Sequence, residues 1–75
     1  MDKEKILITG GLGFVGSNLT NFFSESNKIL ILDTETSNPY NLKSNSNIEI
    51  EYLDIRSEKI SKIISQFKPT SVIHC

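Results

Sequence analysis

Four glycines near the start of the chain, Gly10, Gly11, Gly13 and Gly16, and a carboxylate twenty residues after Gly13, Asp33, are the residues best suited to chemistry. The glycines carry two overlapping spacings, G-x-G-x-x-G at Gly11, Gly13 and Gly16, and G-x-x-G-x-x-G at Gly10, Gly13 and Gly16. A pyrophosphate bound at a helix N-terminus needs a tight turn out of a strand, backbone close enough to touch the phosphate, and a helix packed near the sheet. Glycine meets each need because it has no Cβ and tolerates positive φ. The N–H groups of the first helical turn, around Phe14 and Val15, would then point at the anion with the helix dipole behind them. Asp33 stands where an acid accepts hydrogen bonds from the adenosine ribose of a dinucleotide. The same carboxylate repels a 2′-phosphate, Glu35 adds a second acid, and no Lys or Arg follows Asp33 before Lys43, so NAD is expected rather than NADP. The loop has neither the lysine nor the Ser/Thr of a P-loop, which argues against nucleoside triphosphate hydrolysis.

Chemistry of this kind requires a strand before the glycines and a helix after them. Ile6-Leu7-Ile8 is a short apolar run closed by Thr9 and glycines, the pattern of a strand buried on both faces. From Phe14 to about Ser26, Val15, Leu19, Phe22 and Phe23 recur at the spacing of one helix face. Lys28 to Asp33 is a second covered strand, ending on its carboxylate. Thr34 to Asn47 is rich in Ser, Asn and Thr, holds Pro39 and has no period, so a largely solvated connector is expected. Ile48, Ile50 and Tyr52 alternate with Glu49 and Glu51, a strand with one wetter face and hence an outer position. Ser57 is the expected N-cap of an amphipathic helix carrying Ile60, Ile63, Ile64 and Phe67 and stopped by Lys68-Pro69. A fourth strand centres on Val72-Ile73. The order β-α-β-loop-β-α-β implies an α/β fold, the N-terminal part of a Rossmann-type doubly wound parallel sheet.

Composition is compatible with that reading. Seventy-five residues make at most one small domain with a thin core, since a chain of this size buries only about 60% of its unfolded surface. A net charge of −1 without charge runs gives no reason to expect nucleic acid or an anionic membrane as partner, and no stretch approaches the roughly 20 apolar residues of a membrane helix. A single cysteine, Cys75, cannot form an internal disulfide, and there is no signal-peptide pattern, so a cytoplasmic location is expected. No metal-ligand constellation is read.

The segment Thr9-Gly10-Gly11-Leu12-Gly13-Phe14-Val15-Gly16, with Asp33, Asp54-Ile55-Arg56 and Val72-Ile73-His74, resembles the NAD-dependent epimerase/dehydratase family, the extended branch of the short-chain dehydrogenases/reductases, and the resemblance covers the whole chain. It implies that Asp54 meets the adenine amino group, that Ile55 lies against the ring, and that Cys75 begins a small-residue stretch touching the cofactor. Read from the residues alone, Asp54 is better taken as capping or hydrogen-bonding the following turn than as an adenine contact, Arg56 is a solvated or locally paired side chain, and His74 is a satisfied structural histidine. Cys75 has no base or metal partner in the pattern, and Tyr40 and Tyr52 are packing residues.

The resemblance further implies nucleotide-sugar substrates, homodimers, and a Tyr-x-x-x-Lys pair with a nearby Ser or Thr. No such pair occurs here, because Tyr40 is followed four residues later by Ser44 and Tyr52 by Arg56. Residues 1–75 are therefore expected to form the N-terminal portion of an NAD(P)-binding domain truncated after its fourth strand, with the substrate domain absent and no catalytic residue present. A non-catalytic dinucleotide-sensing domain and a non-functional truncated product are the alternatives.

Overall fold

The computed structural model describes residues 4–34, 42–43, 45–53 and 56–75. Six elements follow one another: β1 (Lys5–Thr9), α1 (Phe14–Phe23), β2 (Lys28–Asp33), β3 (Ile48–Tyr52), α2 (Lys59–Phe67) and β4 (Ser71–His74). The strands form one sheet in the order β3-β2-β1-β4. Every pairing is parallel, with Leu7 opposite both Leu30 and Val72, and Ile31 opposite Ile50. This is the Rossmann-type α/β sheet expected from the alternation of elements, and β3 takes the outer position its alternating glutamates require.

The period of two in the strands sorts the core by residue type. Ile6, Ile8, Ile29 and Ile31 bury on one face with Leu12, and Phe23, Leu42, Ile48, Ile50 and Ile73 pack around them. Leu7, Leu30 and Leu32 bury on the opposite face beneath Ile60, Ile63, Ile64 and Phe67 of α2. The second helix thus lies where its i, i+3, i+4, i+7 stripe places it, although none of its residues is fully buried. Each fully buried Ile or Leu of the two inner strands contributes about 1.5–3 kcal/mol of transfer free energy, so β1 and β2 carry most of the core.

The first helix keeps its expected apolar pattern only in part: Phe23 packs on the core and Leu19 is half-buried. Its buried residues are Gly16, Ser17 and Thr20, while Val15 and Phe22 are 59% and 69% exposed. The reason is distance. A Cβ on Gly16 would stand 2.5 Å from the Gly10 carbonyl oxygen and 2.6 Å from Gly11 Cα, so this face of α1 approaches the glycine loop more closely than a large side chain permits. The Ser17 hydroxyl uses the proximity to donate to the Gly11 carbonyl at 3.3 Å. The helix also ends earlier than its pattern implies, at Phe23 with Ser24 as cap.

Two further differences concern connections. Helix α2 begins at Lys59 with Glu58, not Ser57, in the cap position. Ser57 instead closes a short turn ahead of the helix, its hydroxyl accepting from the Lys59 N–H at 3.2 Å and its carbonyl from the Ile60 N–H at 3.1 Å. The described part of the β2–β3 connector is anchored rather than simply solvated. Asn45 and Asn47 donate side-chain N–H groups to the Ser24 carbonyl, at 3.4 and 2.9 Å, and Asn21 accepts from the Lys43 N–H at 2.9 Å. Carbonyls at a helix C-terminus lack intrahelical partners, and these asparagines supply them.

Candidate functional site

At the carboxyl edge of the sheet the chain leaves β1 through Gly10, whose φ of +70° lies in the left-handed region. A side chain there would be strained, and its Cβ would also come within 2.8 Å of the Cys75 carbonyl oxygen. Gly11 is buried, with a Cβ position 2.7 Å from Ile31 Cγ2. Three of the four glycines, Gly10, Gly11 and Gly16, are therefore required by the protein's own packing. Gly13 is not. Its φ of −75° and ψ of −177° suit any residue, and a Cβ built on it meets only the Gly10 carbonyl oxygen, at 3.8 Å.

Gly13 is also the N-cap of α1, and it offers no side-chain oxygen to the first turn. Helix geometry leaves the Val15 and Gly16 N–H groups without intrahelical acceptors, and no acidic residue sits in that turn to oppose an anion. Phe14 and Val15 are 63% and 59% exposed, so the start of α1 lies at an accessible edge. A space that the fold does not fill, bounded by amides with a positive dipole end, is what a pyrophosphate requires.

Asp33 closes the arrangement from the neighbouring strand. It is the last residue of β2, half-buried, and its Oδ2 accepts a hydrogen bond from the Leu12 N–H at 3.1 Å. Beside it lies a cavity of about 170 Å³ lined by Thr9, Gly10, Asp33, Thr34, Leu53 and His74. Thr9 and His74 stand opposite one another in the β1–β4 register and hydrogen-bond through Thr9 Oγ1 and His74 Nδ1 at 2.5 Å. His74 is thus a partnered histidine, in agreement with its reading from sequence. Cys75 is exposed at the end of β4 and tied by its N–H to the Thr9 carbonyl at 3.0 Å.

The fold brings Gly10, Gly11, Gly13, Phe14, Val15, Gly16, Asp33 and Cys75 to one edge of the sheet, whereas Asp54 and Ile55 lie outside the described residues. Thr34 and Leu53 join the site without having been singled out by motif, and Thr9 joins it as the first residue of the glycine segment. Thr9 and His74 each end a strand, a signal that becomes legible only when β1 and β4 are known to be neighbours. Among the described residues no group of three His, Cys, Asp or Glu side chains could hold a metal ion, and no helix is long and apolar enough to cross a membrane.

A parallel 3-2-1-4 sheet with helices on both faces and a glycine turn between β1 and α1 defines the Rossmann class. The profile of the NAD dependent epimerase/dehydratase family matches residues 6–75, and the chain belongs to that family. CDP-paratose 2-epimerase of Salmonella typhi is 36% identical over 77 residues, a match taking in 93% of this chain and 23% of that protein. Among solved structures, epimerase Mth375 from Methanothermobacter thermautotrophicus superposes with a TM-score of 0.83 at 34% identity, covering 97% of this chain and 22% of its own. The Bordetella bronchiseptica enzyme WbmG, solved in complex with NAD, superposes with a TM-score of 0.84 at 27% identity over 99% of this chain and 25% of its own. The chain spans about a quarter of the length of these relatives.

Proposed function

We propose that this chain is the amino-terminal, NAD-binding part of a nucleotide-sugar epimerase or dehydratase. The observation that carries the reading is Gly13, a glycine at a helix N-cap that nothing among the described residues requires, standing where a bound pyrophosphate would need the room. In this reading the first-turn amides hold the pyrophosphate, Asp33 receives the adenosine ribose, and the cavity beside Asp33 takes the adenosine end of the cofactor. Asp54 and Ile55 complete the adenine surroundings, and Cys75 begins a stretch that touches the cofactor, as the family resemblance implies. The WbmG complex supports NAD as the cofactor, and the CDP-paratose epimerase supports a sugar carried on a nucleotide.

When bound, NAD would supply a hydride acceptor for chemistry on the sugar. This chain's own residues bind and orient the cofactor, and none of them is assigned a proton transfer. The sugar-contacting and acid–base groups belong, in this reading, to a part of the protein outside these 75 residues, as does any dimer interface. Titration of the protein with NAD and NADP, followed by calorimetry or by shifts of the Val15 and Gly16 amide resonances, tests the assignment. Saturable binding of NAD that perturbs those amides is expected. Binding that leaves them unmoved would remove the pyrophosphate from the glycine loop.

A further inference from the structure

We propose that Asp33 is the anchor that holds the glycine loop in its phosphate-receiving shape before any cofactor arrives, in addition to facing the ribose; the second half of this statement rests on the function proposed above. The anchor is visible in two consecutive residues of β2 that grip alternate residues of the loop. The Leu32 carbonyl accepts from the Gly10 N–H at 2.9 Å, and Asp33 Oδ2 accepts from the Leu12 N–H at 3.1 Å. Leu12 is itself 5% exposed and packed among the isoleucines, so its amide is fixed from the side-chain end by burial and from the backbone end by a carboxylate. Asp33 also binds outward through its backbone, its carbonyl accepting from the Leu53 N–H at 3.1 Å beyond the end of β3. One residue therefore ties together the glycine turn and the ends of β2 and β3.

The chemistry sets what can replace it. A hydrogen bond from an amide to a charged acceptor is worth more than a neutral one, and deleting the acceptor leaves the Leu12 N–H in a part-buried position without its partner. Asparagine keeps an oxygen at the same reach and drops the charge. Alanine removes both. The consequence for cofactor choice is that abolishing the carboxylate to admit a 2′-phosphate also loosens the loop unless an oxygen remains, so Asp33→Asn and Asp33→Ala should behave differently toward NADP.

Amide hydrogen exchange in the absence of cofactor tests the anchor, and NAD and NADP dissociation constants test its consequence. Exchange at Leu12 is expected to accelerate by roughly tenfold or more in Asp33→Ala, with Ile8 in β1 unchanged, and to stay within about threefold of the parent in Asp33→Asn. Asp33→Ala should bind both dinucleotides more weakly than Asp33→Asn, and Asp33→Asn should lose the parent's preference for NAD without losing NADP. Equal Leu12 exchange in parent and Asp33→Ala, or equal NADP binding by the two variants, would overturn the proposal. The exchange arm involves no cofactor, so a parent that fails to bind NAD refutes the proposed function while the exchange result still decides the anchor.

Discussion

Replacing Gly13 with valine separates what the fold requires from what a ligand requires. The Gly13 backbone, at φ −75° and ψ −177°, is one that valine adopts freely, and the nearest atom to its Cβ is 3.8 Å away, an ordinary contact. The cost to folding is then confined to the poorer N-cap preference of valine relative to glycine, about 1 kcal/mol or less. For a chain of this size that lowers the melting temperature by no more than about 4–8 °C. Binding should fall much further. The valine methyls occupy the approach to the first-turn amides, and losing one or two charge-assisted hydrogen bonds of about 1.5–3 kcal/mol each weakens NAD binding by at least roughly tenfold and up to roughly twenty-thousandfold.

Gly16→Ala supplies the opposite control. Its Cβ would meet the Gly10 carbonyl oxygen at 2.5 Å and Gly11 Cα at 2.6 Å, backbone atoms that cannot rotate away, so overpacking of about 1–3 kcal/mol falls on stability. Circular dichroism melts and NAD titrations of the two variants give the comparison. An unchanged dissociation constant in Gly13→Val would remove the pyrophosphate assignment, and a larger loss of melting temperature in Gly13→Val than in Gly16→Ala would refute the steric reasoning itself.

Three other outcomes are expected. Thr20→Val should raise stability by about 1 kcal/mol in urea titrations, because the Thr20 hydroxyl is fully buried without a hydrogen-bond partner among the described residues and the substitution replaces it with a methyl of similar shape. NAD should bind more than about tenfold tighter than NADP at low salt, with the margin shrinking as added salt screens the 2′-phosphate from Asp33, and a preference independent of salt would count against a Coulombic origin. The 75-residue chain should melt below about 45 °C, since α2 has no fully buried residue and Phe14, Val15, Phe22, Tyr52 and Val72 all face solvent; a midpoint above 60 °C by calorimetry would contradict so thin a core.

The order of elements, the buried strands Lys5–Thr9 and Lys28–Asp33, the outer position of Ile48–Tyr52 and the apolar stripe of α2 were legible in the linear sequence. Each follows from a local rule: continuous apolar runs for strands covered on both sides, alternation for an edge, a 3.6-residue period for a helix lying on a sheet. The glycine spacing and the distance to Asp33 were legible too, and the fold brings those residues to one edge of the sheet, because close backbone approach and positive φ are demands on single residues.

Tertiary structure decided the remainder. The inward face of α1 is built of Gly16, Ser17 and Thr20 beside Phe23, while Val15 and Phe22 of its apolar set face solvent, because the distance between helix and glycine loop selects for small side chains and no hydrophobic period encodes that distance. The Thr9–His74 pair and the Asp33–Leu12 bond join residues far apart in the chain, and both exist only once the sheet order places those strand ends side by side. Only the folded structure distinguishes the glycines. Gly10, Gly11 and Gly16 answer to the protein's own backbone and core, and Gly13 faces space that the described residues leave open.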